Sequence, residues 1–104
     1  MKVTKRDATT IFIEGAQALD PITTYFHNHC EGQGSVTITC YARAWTFYWA
    51  AVGNQSIEQF FYAAENSYLL TKFLSNYRTA TPKEMEYLTR ILQAVKLAMV
   101  EADL

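Results

Sequence analysis

The chain has 104 residues, half of them hydrophobic and 18% charged, with a net charge of −1. That composition fits one domain with a packed core, and it excludes a disordered chain and a strongly basic nucleic-acid coat. Two cysteines are too few for a disulfide framework, and no apolar run approaches the roughly 20 residues that cross a bilayer.

Residues 1–8 are polar and carry Lys2, Lys5 and Arg6. They read as a flexible lead-in, which leaves residues 9–104 as a single domain. The start, MKVTKRDATT, lacks the apolar stretch of a signal peptide, so a cytosolic protein with reduced thiols is expected. Thr9 to Glu14, TTIFIE, alternates with β-branched residues and reads as a short strand. Gly15 ends it, and Asp20-Pro21 is turn chemistry.

Ile22 to His29 forms a second strand candidate and Ser35 to Arg43 a third. In the third, Val36, Ile38, Cys40 and Ala42 point one way, and Thr37, Thr39, Tyr41 and Arg43 the other. The intervening EGQG offers two glycines for a tight turn. Gathering the apolar residues on one face sets Thr24 opposite Cys40, Phe26 opposite Ile38 and Asn28 opposite Val36. The loop is then Glu31, Gly32 and Gln33. Thr23, Tyr25, His27 and His29 fall on the other face, beside Thr37, Thr39 and Tyr41.

After Arg43 the period changes. Trp45, Tyr48, Trp49 and Val52 lie at i, i+3, i+4 and i+7, which predicts a helix closed by Gly53. Ser56-Ile57-Glu58-Gln59 is a capping box ahead of an apolar stripe of Ile57, Phe60, Phe61 and Ala64. A further helical turn capped by Ser67 is expected to reach Leu74. Thr81-Pro82-Lys83-Glu84 supplies an N-cap, a proline at N1 and a Glu at N3. Leu88, Ile91, Leu92, Val95 and Met99 form one stripe behind it. The expected fold is α+β: a three-stranded antiparallel sheet followed by two to four helices packed on one face.

The string FHNHCEG, residues 26–32, invites a metal reading. Zinc needs four ligands converging at about 2.0–2.3 Å. On a strand His27 and His29 share a face while Cys30 points away, and Cys40 lies at the other end of the hairpin. His27 and His29 are therefore weak metal candidates, read as surface or interface histidines; a small metal-dependent hydrolase is the most remote reading. Cys40 sits on an apolar face, where a thiol is usually inert packing. No Walker A, G-x-S-x-G, H-E-x-x-H or G-x-G-x-x-G pattern occurs. No enzyme activity and no cofactor are expected.

Two kinds of partner surface are suggested by the residues. Tyr25, Tyr41 and Arg43 on one sheet face would stack nucleic-acid bases, although the basic residues are few and scattered, and phosphate contacts normally dominate affinity. Phe47 and Tyr62 lie off the apolar stripes and suit a protein interface, as do Tyr25, His27, His29, Tyr41 and Arg43. An unpaired edge strand and exposed aromatics would also allow a homodimer.

The segments LDPITTYF, GQGSVTITCYARAWTFYWAAVG and IEQFF resemble a group of small proteins of lambdoid phages and prophages of enteric bacteria. The resemblance runs over about residues 19–75, and the closing YLTRILQAVK is also similar. This chain has Ala42 and Ala50 where the group commonly has glycines, which argues against a glycine-dependent function at those positions. The resemblance implies the cytoplasm of a bacterial host. It also implies an accessory role: stoichiometric binding of a host protein, such as a CRISPR complex, a restriction enzyme or a recombination nuclease, rather than catalysis.

Overall fold

Four strands, β1 (Thr9–Ile13), β2 (Ile22–Cys30), β3 (Gln33–Cys40) and β4 (Arg43–Trp49), form one antiparallel sheet in sequence order. Among the described residues three helices follow: α1 (Ile57–Ala63), α2 (Asn66–Phe73) and α3 (Pro82–Glu101), with a 3-10 turn at Tyr77–Thr79 before the last. The computed structural model describes every residue except Asn76.

The sheet has four strands, not three. The segment expected to be a helix is β4, which pairs with β3 from Cys40↔Arg43 to Gly34↔Trp49. Trp45 and Trp49 are buried on its inner side, with half-buried Phe47 between them. Tyr48 lies on the outer side and is 49% exposed. Strand geometry wins because aromatic residues suit a half-buried pleated surface and the chain reverses at Tyr41-Ala42 to place them there. Tyr41 adopts φ +57° in that turn, in the left-handed region most side chains avoid.

The β2–β3 register is offset by two residues from the expected one. Ile22 faces Cys40, Thr24 faces Ile38 and Phe26 faces Val36. An even offset keeps every side chain on its expected face. The turn is shortened to Glu31-Gly32 because the pairing shifts between Asn28 and Cys30, where Cys30 meets Gln33. Such a bulge absorbs the extra residue.

Both capping boxes form. The Ser56 side chain accepts from the Gln59 amide at 3.1 Å, while the Gln59 side chain accepts from the Ser56 amide at 2.9 Å. Thr81 and Glu84 do the same at the start of α3. The second helix starts at Asn66, with Glu65 at its N-cap, rather than after Ser67. A cap from outside the helix was not expected: Asn28 of β2 accepts from the Ile57 amide at 2.8 Å and donates to Glu58 at 2.6 Å. It ties the first turn of α1 to the sheet.

The helices cover one sheet face. Ile22, Phe26, Val36 and Ile38 meet Ile57, Phe61, Leu69, Leu88, Ile91, Leu92, Val95 and Met99 in one core. Phe26 and Phe61 pack edge-on at 5.6 Å between ring centroids. The exception is Thr24, which is fully buried with its hydroxyl unbonded among the described residues. An unsatisfied buried hydroxyl carries its desolvation cost without return. Thr24→Val is therefore expected to stabilise the fold by about 1 kcal/mol in denaturant unfolding; a loss of stability would show that the hydroxyl is satisfied in solution.

Candidate functional site: the open face of the sheet

Among the described residues, no helix lies over the outer face of the sheet. Strand alternation and register arrange it in rows: Phe12, Thr23, Thr39, Ala44; then Thr10, Tyr25, Thr37, Thr46; then His27, Ser35, Tyr48. None of these residues is Lys, Arg, Asp or Glu. Phe12 is 60% exposed. An antiparallel sheet can leave one face to water, but such a face ordinarily carries charged side chains among its threonines.

One corner of the face is a side-chain cluster. Arg6 Nη1 donates to His29 Nδ1 at 3.2 Å and to the His29 carbonyl at 3.3 Å. A guanidinium can only donate, so Nδ1 is the acceptor and Nε2 carries the proton facing Ser35 Oγ at 3.3 Å. Tyr48 packs edge-on against His29 at 5.3 Å, and the His27 ring lies 6.4 Å from that of His29. Tyr48 also donates to Gln33 at 3.2 Å. The pairing of Thr9 with Phe26, extended by three residues, sets Arg6 opposite His29. The Arg6 side chain thus ties this part of the lead-in to the end of β2, although β1 itself begins at Thr9.

The expected site residues divide among four places. Tyr25, His27 and His29 share the open face as expected. Tyr41 and Arg43 do not join them. Tyr41 stands in the β3–β4 turn, 83% exposed. Arg43 pairs with inward-facing Cys40 across the hairpin, so the reversal carries it to the covered side. There its guanidinium lies over Trp45 at 5.1 Å and Tyr87 at 5.8 Å, a cation–π arrangement. Phe47 is also on the covered side, edge-on to Trp49 at 4.9 Å with the Lys72 ammonium 5.5 Å from its ring. Tyr62 is exposed, on α1, away from the sheet face. Sequence reading missed Phe12 and Arg6, and the alternation of TTIFI could have found the first; it grouped Tyr48 with Trp45 and Trp49 as one aromatic cluster, core or interface, which the strand divides into two buried indoles and an exposed Tyr48.

Among the described residues, no three of His, Cys, Asp or Glu converge as a metal site. The two cysteines are free, Cys30 exposed and Cys40 buried. Cys40 accepts from the Tyr87 hydroxyl at 3.3 Å and donates to the Asp20 carbonyl at 3.5 Å. The bond to Cys40, together with burial, holds the Tyr87 phenol up at about 12. Both groups serve the packing of α3 on the sheet. No helix of the described residues is long and apolar enough to cross a membrane.

No curated protein and no solved structure matches this chain. A family model does match, over residues 1–102, and its extent takes in the lead-in, the whole sheet and all three helices. The chain belongs to Phage_phiTE_072, a phage family.

Proposed function

We propose that this phage protein is a non-enzymatic accessory factor that binds a host protein through the open face of its sheet, in its sharpest form as an inhibitor of a host defence system. The observation that carries the reading is that face itself. It presents Phe12, Tyr25 and Tyr48 among small hydroxyl side chains, on strands held rigid by a core on the other side. Tyrosine anchors on a rigid element suit a protein interface, because little side-chain entropy is lost on binding. The resemblance to lambdoid phage proteins points to an enteric bacterial host and its cytoplasm as the place of action. Cofactors have no part in this reading.

A second reading is single-stranded nucleic acid on the same face. It is favoured by the lack of carboxylates on the strand residues there and by Arg6 at the rim, with Lys2 and Lys5 in the same lead-in. Aromatic platforms with nearby cations bind unpaired bases in this way. The Tyr25, Tyr41 and Arg43 trio no longer supports it, since the structure separates them.

Affinity capture from a nuclease-treated lysate of a phage-susceptible enteric host tests both. One dominant host protein at stoichiometric yield supports the first reading. Recovery of nucleic acid alone when nuclease is omitted supports the second. Recovery of neither ends both.

A further inference from the structure

A cleft of about 550 Å³ lies on the helical side, far from the open face in the layer order, between the α1–α2 junction and the last turns of α3. Tyr62, Asn66, Gln93, Lys96, Leu97 and Val100 line it. Its volume falls within the roughly 300–1,000 Å³ range of small-molecule sites.

Three features of the cleft point to one kind of ligand. The Lys96 ammonium donates to the Ala64 carbonyl at the end of α1 and lies 5.9 Å from the centre of the Phe61 ring. An ammonium has three donors, and no second hydrogen bond engages it among the described residues. Burial lowers its pKa from the ordinary lysine value, because the charged form has lost hydration. An incoming anion would restore that interaction. The side-chain oxygen of Asn66 is buried with no hydrogen-bond partner among the described residues, so it lacks a donor. Leu97 and Val100, 71% and 61% exposed, and Tyr62 at 48%, leave apolar surface beside these polar atoms. Scattered apolar residues on a surface need no explanation, but three around one polar cleft mark a place for an apolar body.

We propose that this cleft binds a free amphipathic carboxylate with an adjacent N–H or O–H, of the N-acyl amino acid type. The carboxylate meets Lys96, the donor meets the Asn66 carbonyl oxygen, and the acyl chain lies on Leu97, Val100 and Tyr62. The site is separate from the open face and does not depend on the host-protein reading. Tyr62 then serves this cleft and not the interface on the sheet.

The test is a chemical-shift titration of the full ¹⁵N-labelled chain with three probes. N-octanoylglycine carries all three features, octanoate lacks the donor, and N-octanoylglycine methyl ester lacks the charge. The expected result is saturable shifts confined to the Tyr62, Asn66, Gln93 and Lys96 region, with a Kd in the roughly millimolar range or tighter. The ester and octanoate should each bind at least about tenfold more weakly, because each leaves a buried polar group unmatched. Leu97→Glu places a like charge on an exposed rim position, so it should abolish binding without unfolding the domain. Unsaturable or dispersed shifts, equal binding of the ester, or unchanged binding by Leu97→Glu would overturn the proposal. Equal binding of octanoate would overturn it as well, because the donor that meets Asn66 is part of the proposed ligand.

Discussion

Trp49→Ala is expected to lower the stability of the domain by about 3–5 kcal/mol. The indole is 95% buried, as its 5% exposure shows. It packs against Phe47 at 4.9 Å, Phe60 at 5.4 Å and Phe73 at 5.9 Å, so it joins β4 to both α1 and α2. Its ring N–H also donates to the Tyr68 hydroxyl at 3.1 Å. Removing it opens a cavity bounded by three rings, each carried by a different element. Small domains have only about 5–15 kcal/mol of stability in total, so the variant should melt more than about 15 °C below the parent. Tyr68→Phe, which removes only the hydrogen bond, should cost about 1 kcal/mol. Equal, small losses in both variants would show that Trp49 is not a core residue, and with it that β4 is wrongly placed.

Gly34→Ala is expected to cost about 2–3 kcal/mol through overpacking. A Cβ there would stand 2.6 Å from the His27 carbonyl oxygen and 2.8 Å from Ile57 Cβ. One obstacle is backbone of the neighbouring strand, and the other is the first residue of α1. Neither is the loose end of a side chain, so either the β2–β3 hairpin or the helix must move. Gly32 is constrained in the same region: its carbonyl accepts from the Val52 amide at 2.9 Å, and a Cβ would lie 2.7 Å from the Gly53 carbonyl oxygen. The glycines of the turn therefore allow close approach of the chain leaving β4 and of α1. Thermal unfolding of Gly34→Ala checks this directly; a melting point within a degree or two of the parent would contradict the close approach.

The parts of this fold that could be read from the sequence are those governed by local chemistry or by simple period. Ser56 with Gln59 and Thr81 with Glu84 are caps made by residues three apart, so they need no tertiary information. The two-residue period of strands β2 and β3 gave the right inner and outer faces even though the register was off by two, because an even slip preserves the face. The bulge at Asn28–Cys30 has no residue signature that would have corrected the slip.

The β4 strand was hidden for two physical reasons. Trp45, Tyr48, Trp49 and Val52 match a helical stripe, while Trp45, Phe47 and Trp49 match strand alternation equally well, and apolar runs do not decide between the two. The reversal before it is made by Tyr41 at φ +57° and Ala42, with no Gly, Asn or Asp to announce it. The misplaced site residues follow from that one turn. With no reversal, Tyr41 and Arg43 continue the outer face of β3; with it, Arg43 follows Cys40 to the covered side and Tyr48 takes the outer position beside His29. The tie between Arg6 and His29 depends on residues 23 positions apart in the chain, beyond the reach of any local pattern.

The open face is the centre of the functional account, and Thr37 lies near its middle, between Tyr25 and Thr46. The most direct measurement is the affinity of the captured host protein for the parent chain and for Thr37→Arg. The long charged side chain would project from the face while the half-buried backbone position keeps its pairing. The account predicts binding at least about tenfold weaker, or about 1.4 kcal/mol, with a melting temperature close to the parent. Unchanged affinity in a folded Thr37→Arg protein would contradict it and place the interface elsewhere on the molecule.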